Sequence, residues 1–463
     1  MTAVTTDVQA AHIEAVQRLL DSYRRIPPGT TVRLAKSTSN LLRARAATRT
    51  AGLDVTGLDG VLSVDVLNHT ADVQGMCTYQ TLVAATLPYG VAPLVVPQLK
   101  TITVGGAVTG LGIESSSFRN GLPHESVTEM DILTGAGELI TATPDDHPDL
   151  FHAFPNSYGT LGYCVRLRIE LEQVRPCVHL RHLRFHRFED LVDTLQRILD
   201  TADYAGTPVD YLDGIVFGSD ESYLCLGTKT ATADPVSDYT GQRIYYSSVR
   251  HAAGELHDRL TTTDYLWRWD TDWFWCSRAF GAQHPLIRRL WPRRYRCSNY
   301  YSKLIGVDQR FHIADRIEQH RIRAPQRSRR ERVVQDIEVP VEQTAEFLNW
   351  FLTNVSITPI WLCPLRLRGD TRWPLYPIEP HRNYVNVGFW SSVPAAAQPG
   401  RTNRLIEDKV TELSGHKSLY SDSYYSPAEF DRLYSGDTYR AVKSVYDPDS
   451  RLLGLYGKAV QRR

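Results

Sequence analysis

The sequence lacks the short motifs that identify the common nucleotide and metal sites. It contains neither G-x-G-x-x-G nor G-x-x-x-x-G-K-[ST], which excludes a Rossmann fingerprint and a P-loop. Its seven cysteines are scattered and include no C-x-x-C pair, which argues against a zinc site and a disulfide framework. We therefore predict no bound metal and a reducing, cytoplasmic setting.

Long apolar runs and net charge are also missing. No stretch reaches the roughly 18 apolar residues of a membrane-spanning helix, and residues 1–21 have no basic start ahead of an apolar core. The 52 Lys and Arg balance 52 Asp and Glu, so total charge gives no support to a nucleic-acid partner. At 463 residues the chain is long enough for two or three folded domains.

Positive charge is concentrated in residues 278–332, which carry fifteen Lys and Arg against four Asp and Glu. An aromatic run directly before them holds four tryptophans: Trp267, Trp269, Trp273 and Trp275. Two interpretations of residues 265–332 remain open. They form either a peripheral membrane dock, with Trp at the interface and Arg on anionic headgroups, or a buried aromatic strip beside a solvated charged face.

Glycine and serine are abundant between positions 103 and 121. The five glycines and three serines there are Gly105, Gly106, Gly110, Gly112, Gly121, Ser115, Ser116 and Ser117. Glycine permits positive φ and close approach of the backbone, and serine adds hydrogen-bond donors. The segment therefore predicts backbone contact with a flat or anionic ligand.

A second polar turn lies at residues 36–40, and Gly159-Thr160-Leu161-Gly162 stands ahead of a strand. Taken alone, the turn at 36–40 reads as an ordinary surface turn. Together with the glycine segment, it favours two backbone nests around a diphosphate. Short strands alternate with few helices through residue 178, which predicts an α+β fold.

In their order these elements resemble the FAD-binding domain of the vanillyl-alcohol-oxidase-type, or PCMH-type, flavoproteins. The shared pattern is the serine turn, T-V-G-G-x-x-x-G-x-G, D-L-F-x-A and G-T-L-G. Four further words resemble the Δ24-sterol reductase branch: G-I-E-S-S-S at 112–117, V-V-Q-D at 333–336, P-I-W-L-C-P at 359–364 and L-Y at 419–420. The resemblance implies a PCMH-type FAD-binding domain over 1–178, an α+β cap or substrate domain over 179–410, and a tyrosine-rich tail over 411–463 that packs near the flavin.

The resemblance also implies which residues hold FAD. Around the diphosphate and flavin these are Lys36, Ser37, Thr38, Ser39, Asn40, Leu41, Thr103, Val104, Gly105, Gly106, Gly110, Gly112, Ile113, Glu114, Ser115, Ser116, Ser117 and Gly121. Gly159, Gly162 and Val165 are expected near the adenine, and Tyr420 near the isoalloxazine. Because Asn40 stands where many relatives carry a flavin-bonding histidine, we expect non-covalent FAD.

Within the branch, the Arg-rich and Ala-rich composition and the soluble leading helix resemble the actinobacterial reductases that form tuberculostearic-type lipids. The resemblance implies NADPH as electron donor and a 10-methylene fatty acyl chain of a phospholipid as substrate. A methyltransferase partner and a location at the inner face of the membrane follow from that substrate. Three alternatives remain: a Δ24-sterol-type alkene reductase, an FAD-dependent alcohol or lactone oxidase, and a lipid-binding protein on a retained fold.

Reduction of an isolated double bond requires a proton donor, and three residues are candidates. Glu114 lies in the glycine segment, where an apolar pocket would raise its pKa; the alternative is a carboxylate that bonds loop amides. His124 follows on the same loop, and a structural histidine is its alternative. Asp336 lies in the V-V-Q-D word, where it could equally be a turn or strand-edge residue.

Overall fold

The computed structural model describes residues 6–35, 52–231, 235–239, 243–252, 254–301, 303–304 and 330–461. Helices in these ranges are α1 (Thr6–Arg24), α2 (Tyr79–Thr86), α3 (Val104–Gly110), α4 (Ser117–Asn120), α5 (Pro148–Ala153), α6 (Phe188–Thr201), α7 (Tyr245–Ser248), α8 (Thr262–Leu266), α9 (Pro285–Leu290), α10 (Thr344–Asn354), α11 (Arg401–Glu412), α12 (Pro427–Leu433), α13 (Gly436–Tyr446) and α14 (Leu455–Ala459). Short 3-10 turns lie at Leu87–Tyr89, Pro123–Ser126, Cys276–Phe280, Arg293–Tyr295 and Val341–Gln343.

Strands in the described ranges are β1 (Val61–Asp65), β2 (Thr70–Gln74), β3 (Val91–Pro93), β4 (Val127–Leu133), β5 (Leu139–Ala142), β6 (Tyr163–Gln173), β7 (Cys177–Phe185), β8 (Asp203–Tyr204), β9 (Thr207–Pro208), β10 (Tyr211–Gly218), β11 (Glu221–Thr230), β12 (Glu255–Thr261), β13 (Arg330–Pro340), β14 (Ile360–Leu365), β15 (Tyr384–Pro394) and β16 (His416–Lys417). They form two large antiparallel sheets and a small hairpin of β8 and β9. The predicted α+β fold class is confirmed.

The first sheet is built from the amino-terminal strands in the order β1-β2-β6-β4-β5, and β3 also pairs with β6. Apolar residues alternate along β2 and β6, so Ala71, Val73, Leu167 and Ile169 point into one core. On the opposite face, Arg166 bonds the carboxylates of two neighbouring strands. The sheet is therefore amphipathic, and the core face supports α2 and α3.

The second sheet has the strand order β12-β7-β11-β10-β14-β15-β13-β16. One face carries aliphatic residues such as Leu212, Val216 and Leu362, which pack under α6, α10 and α11. Because side chains alternate along a strand, the residues between them point the other way, toward the first sheet. Asp213 and Trp361 are two of these residues.

The two large sheets divide between Gln173, which ends β6, and Cys177, which begins β7. Helix α11 spans residue 411, where the predicted third domain begins, and β16 of that segment joins the second sheet. The three predicted domains stay predictions. In the described part of the chain, no helix has the length and apolar character that crossing a bilayer requires.

Candidate functional site

The glycine segment forms the short helix α3, which begins after Thr103. The Thr103 hydroxyl accepts a 3.2 Å hydrogen bond from the amide of Gly106. Gly105 packs directly on the backbone at the end of β2, where an added Cβ would lie 2.7 Å from the carbonyl oxygen of Gly75. Val104 is buried, whereas Gly106 is exposed. The helix therefore presents a glycine edge without side chains on its open side.

The glycines at the end of α3 are required by close packing. A Cβ on Gly110 would lie 3.3 Å from the ring of Tyr158, whose hydroxyl donates a 2.8 Å hydrogen bond to the Gly110 carbonyl. A Cβ on Gly112 would lie 2.8 Å from Pro97 and 3.1 Å from Pro123. These contacts hold the backbone from Gly106 to Gly112 in one shape, with its open edge available to a flat ligand.

The three serines are buried and engaged by the protein itself. Ser116 donates to the carbonyl of Leu94 at 2.8 Å. Ser115 shares a 2.8 Å hydrogen bond with the Tyr265 hydroxyl, and Ser117 accepts from the amide of Glu114. Ser115 therefore ties the loop to Tyr265 of α8, whereas Ser116 and Ser117 hold the loop to Leu94 and to itself. Contact of Ile113 and these serines with FAD stays a prediction.

Glu114 lies in a buried cluster between the two sheets. Its Oε1 accepts a 2.9 Å hydrogen bond from Arg268 Nη2, and the same nitrogen donates to Asp213 Oδ2 at 2.8 Å. Asp213 Oδ2 also accepts from the indoles of Trp269 and Trp361 at 3.1 and 3.3 Å. All three charged side chains are at most 3% exposed.

Charge in this cluster is unbalanced if all three groups ionise, because two carboxylates face one guanidinium. Burial raises the pKa of Glu114, and the negative charge of Asp213 raises it further. Glu114 Oε2 has no hydrogen-bond partner. The positive charge of Arg268 lowers the pKa of Glu114, but the net shift is upward and favours its protonated form. The cluster joins the glycine segment to the second domain.

The aromatic run belongs to this interface. Trp267, Trp269 and Trp275 are buried, and Arg268 stacks 3.9 Å from the ring of Tyr265. Of the two interpretations of this region, the buried strip is the one observed for residues 265–275. Lipid contact through these three tryptophans is therefore wrong, because their rings are packed in the core.

His124 is buried beside the glycine segment and has no polar contact. Burial lowers its pKa to about 3, and neither ring nitrogen has a hydrogen-bond partner. Its ring packs edge-on against Trp373 with centroids 4.4 Å apart. A neutral imidazole is far too weak an acid to protonate carbon, so this geometry favours the structural alternative.

Asp336 and Glu338 lie on the domain-facing side of β13, opposite Gly388 and Asn386 of β15. Asn386 Nδ2 donates to Asp336 Oδ1 at 3.4 Å, and Ser418 donates to Glu338 Oε1 at 3.3 Å. Glu338 is fully buried, whereas Asp336 is partly accessible. A side chain at Gly388 would collide with Asp336, so this glycine makes room for the carboxyl group.

Both carboxyl groups bind protons more tightly than usual. Burial raises the pKa of Asp336 to about 7, partly offset by hydrogen bonds with Asn386 and Tyr420. Burial also raises the pKa of Glu338 to about 8, and the nearby charge of Asp336 adds to the shift. Two adjacent carboxyl groups with these pKa values still hold protons near neutral pH and can donate them there.

Aromatic residues connect this carboxyl pair to the glycine edge. The Trp390 indole donates a 2.9 Å hydrogen bond to the Tyr420 hydroxyl. Tyr158, which bonds Gly110, lies close enough to Tyr376 and Tyr420 to interact with both electrostatically. Tyrosine and tryptophan side chains therefore lie between the acid pair on the second sheet and the glycine edge on the first.

The loop from Asn156 to Gly162 borders the same region. Gly159 and Gly162 have φ of +71° and +153°, and the tail reaches this loop through hydrogen bonds from Lys443 to the Thr160 carbonyl at 2.9 Å and from Lys458 to the Tyr158 carbonyl at 2.6 Å. Asn156 Oδ1 and Ser157 Oγ are buried without partners. Such orphaned polar atoms beside an open glycine edge fit a flat, polar cofactor such as FAD.

Eight of the predicted cofactor contacts are not described or have no observed link to the glycine edge. Residues 36–41 lie outside the described residues. Gly121, with φ of +70°, sits against Glu125 and turns the chain after α4. Val165 is buried in the first domain. The roles of these residues toward FAD stay predictions.

Sequence reasoning missed Glu338, Asn386 and Trp390. A signal for Glu338 was present, because V-V-Q-D-I-E-V places Asp336 and Glu338 two residues apart in a strand. Residues at i and i+2 share one face. The partners on β15 carry no such signal, since only strand pairing brings them opposite.

Comparison with known proteins agrees with this geometry. Residues 5–143 match a family model described as an FAD binding domain. The chain is 26% identical over 416 residues to Delta(24)-sterol reductase of Homo sapiens, covering 86% of this chain and 75% of that protein. It is 25% identical over 454 residues to Delta(24)-sterol reductase of Arabidopsis thaliana, covering 89% and 77%. Cytokinin dehydrogenase 4 of Arabidopsis thaliana is 29% identical over 180 residues, covering 38% and 33%.

These matches support a PCMH-type FAD-binding domain within an α+β flavoprotein. The chain resembles Delta(24)-sterol reductases across both sheets, and it resembles cytokinin dehydrogenase over a much shorter part. The matches and the site both support an oxidoreductase that uses FAD.

The buried cluster predicts a pH-dependent effect of Glu114→Gln. Because the pKa of Glu114 is raised in the folded protein, its stabilising contribution is complete below the ordinary glutamate pKa of about 4.3 and is lost as pH rises through the folded value. Glutamine mimics the protonated acid at every pH. We expect the variant to gain stability relative to the unchanged protein as pH increases from 5 to 8, measured as melting temperature.

Asp213→Asn provides the matched control for Glu114→Gln. An amide cannot accept from Arg268, Trp269 and Trp361 as a carboxylate does, so we expect a loss of roughly 1–3 kcal/mol across this range. If the difference between Glu114→Gln and the unchanged protein stays constant with pH, Glu114 is ionised throughout and the assignment is wrong.

Proposed function

We propose that this FAD-dependent oxidoreductase, a relative of the Delta(24)-sterol reductases, reduces an isolated carbon–carbon double bond in a long apolar substrate. The observation that carries the proposal is the pair Asp336 and Glu338, which lie side by side on β13 and whose pKa values burial raises toward neutrality. Relatives named as alkene reductases over most of the chain support the same reaction class.

The chemistry explains why an acid is needed. An isolated double bond has no carbonyl to stabilise a carbanion, so hydride cannot add first. Protonation of a terminal methylene carbon leaves a tertiary cation at the branching carbon, which then accepts hydride. Reduced FAD bound at the glycine edge would supply that hydride, with NADPH as the source of its two electrons. The product gains one proton and one hydride.

Asp336 is the proposed proton donor, because it is partly accessible while Glu338 is fully buried. Asn386 and Tyr420 orient its carboxyl group. Glu338 is fully buried beside it. Because its pKa is raised to about 8, Glu338 is still largely protonated at the pH where Asp336 titrates and adds little negative charge next to the proposed donor.

The aromatic surroundings support an apolar substrate. Phe274 and Trp275 pack on Trp390 with ring centroids 4.4 and 5.2 Å apart, and Trp390 in turn bonds Tyr420. We propose a 10-methylene fatty acyl chain of a phospholipid as substrate, made by a methyltransferase partner, with the 10-methyl chain as product. The similarity to Delta(24)-sterol reductases favours a second candidate, a sterol with a Δ24 double bond.

Anaerobic reoxidation of the flavin discriminates between these substrates. The protein is first reduced with NADPH, with NADH as the comparison, and is then mixed with 10-methylene phospholipid or with a Δ24 sterol. We expect the absorbance of oxidised flavin to return with the methylene lipid, whose mass increases by two hydrogens. Return with the sterol alone would favour the second candidate. Return with neither, together with peroxide formation from alcohols in air, would favour an oxidase.

Replacement of the proposed acid should separate the two halves of the reaction. We expect Asp336→Asn to slow alkene-dependent reoxidation by about 10² to 10⁴-fold while NADPH reduces the flavin at its normal rate. Asp422→Asn is the control, because this nearby carboxylate pairs with Arg332 instead. The rate in the unchanged protein should be constant at acidic pH and fall above pH about 7, as Asp336 deprotonates. An unchanged rate in Asp336→Asn rejects this role.

The mode of FAD attachment follows from Asn40. With asparagine where many relatives carry the flavin-bonding histidine, no covalent bond is expected there. Acid precipitation of the protein should therefore leave a colourless pellet and release the yellow flavin into the supernatant. A yellow pellet after repeated washing would show a covalent bond at another residue.

A further inference from the structure

Helix α9, Pro285–Leu290, buries a charged side chain and exposes its apolar ones. Its Arg288 is buried and binds both oxygens of Asp272, at 2.7 and 3.1 Å. Its apolar side chains face outward instead, with Leu286 69%, Ile287 41% and Leu290 83% exposed. Since a short soluble helix ordinarily buries its apolar face, three adjacent exposed aliphatic residues indicate an apolar partner.

The residues around this apolar face are basic. Between positions 278 and 304 the sequence contains seven Lys and Arg and no Asp or Glu. Arg289, Arg293 and Arg294 are exposed beside the aliphatic residues. Within the described residues, the Asp238 carboxylate approaches this rim and lies 3.9 Å from Arg293. The surface therefore combines an apolar centre with a cationic rim.

We propose that this face of the protein, Leu286, Ile287 and Leu290 with Arg289, Arg293 and Arg294, docks on an anionic phospholipid bilayer. Exposed aliphatic side chains at a membrane surface insert at the boundary of headgroups and acyl chains. Neighbouring arginines are attracted to anionic headgroups, and this attraction falls with salt. An anionic bilayer supplies both complementary features, a negatively charged surface and an apolar interior.

This surface is held firmly to the rest of the domain. Asp272, which binds Arg288, also accepts a 2.8 Å hydrogen bond from Ser277. Trp275 lies between these residues in sequence and packs against Trp390 of β15. The docking surface is therefore connected through buried residues to the aromatic lining of the candidate site, so a docked bilayer would lie on the same domain as the proposed acid.

Docking can be tested by co-sedimentation of the FAD-loaded protein with vesicles of phosphatidylcholine, alone or mixed with phosphatidylglycerol. One variant replaces the apolar centre, Leu286→Ser/Ile287→Ser/Leu290→Ser. The other reverses charge at the rim, Arg293→Glu/Arg294→Glu. Matched controls alter exposed residues elsewhere, Leu67→Ser/Leu139→Ser/Val445→Ser and Arg24→Glu/Arg187→Glu. Flavin content and melting temperature verify that each variant is folded.

We expect binding to the vesicles with phosphatidylglycerol, weakened by added NaCl, and at least about tenfold weaker in both docking variants. The control variants should bind like the unchanged protein. Equal binding to both vesicle types, no binding, or normal binding by either docking variant overturns the proposal. A dimer in light scattering that the triple serine variant dissociates would assign the surface to a second copy instead. Because NADPH reduction of the flavin needs no vesicles, failure here is distinguishable from failure of the proposed function.

Discussion

The arrangement of the two domains depends on Arg268, whose guanidinium lies between Glu114 of the glycine segment and Asp213 of the second sheet. A buried cation without partners would be strongly unfavourable, so the two domains are complementary only when both carboxyl groups are in place. The indoles of Trp269 and Trp361 also donate hydrogen bonds to Asp213. This contact holds the glycine segment against the sheet that also carries Asp336. The chemistry proposed for the site thus depends on a buried ionic contact between the two sheets.

The two groups of buried carboxyls have different consequences because their neighbours differ. Glu114 and Asp213 share a guanidinium, so the cluster is neutral with one proton and is suited to holding the domains together. Asp336 and Glu338 have hydroxyl and amide neighbours and no cation within hydrogen-bonding distance in the described part of the chain. Burial then raises both pKa values toward neutrality. A carboxyl group that keeps its proton near pH 7 can act as an acid on carbon.

Several elements were predictable from local sequence. The glycine-rich turn Gly135-Ala136-Gly137 predicts a hairpin, which β4 and β5 form, and the segment from Phe188 to Asp200 predicts a helix, which α6 forms. The aromatic run was ambiguous, because tryptophans beside arginines suit both a membrane interface and a core. Packing resolved it by burying Trp267, Trp269 and Trp275, and the exposed apolar residues occur instead on α9. Local composition could not indicate this, because Leu286 is exposed and Arg288 is buried, the reverse of what is usual for these residue types.

The sequence by itself determined the α+β class, the close contacts that the backbone can make at Gly105 to Gly112, and the likeness to FAD-binding alkene reductases. These properties follow from local features: strand periodicity, glycine spacing and short words in order. Only the tertiary structure decided that Glu114 pairs across the domain interface and that Glu338 lies beside Asp336 opposite Asn386. It also decided that the Arg288 side chain is buried. Each of these depends on contacts between residues distant in sequence, and a side chain's pKa and exposure are set by neighbours that only the folded chain brings together.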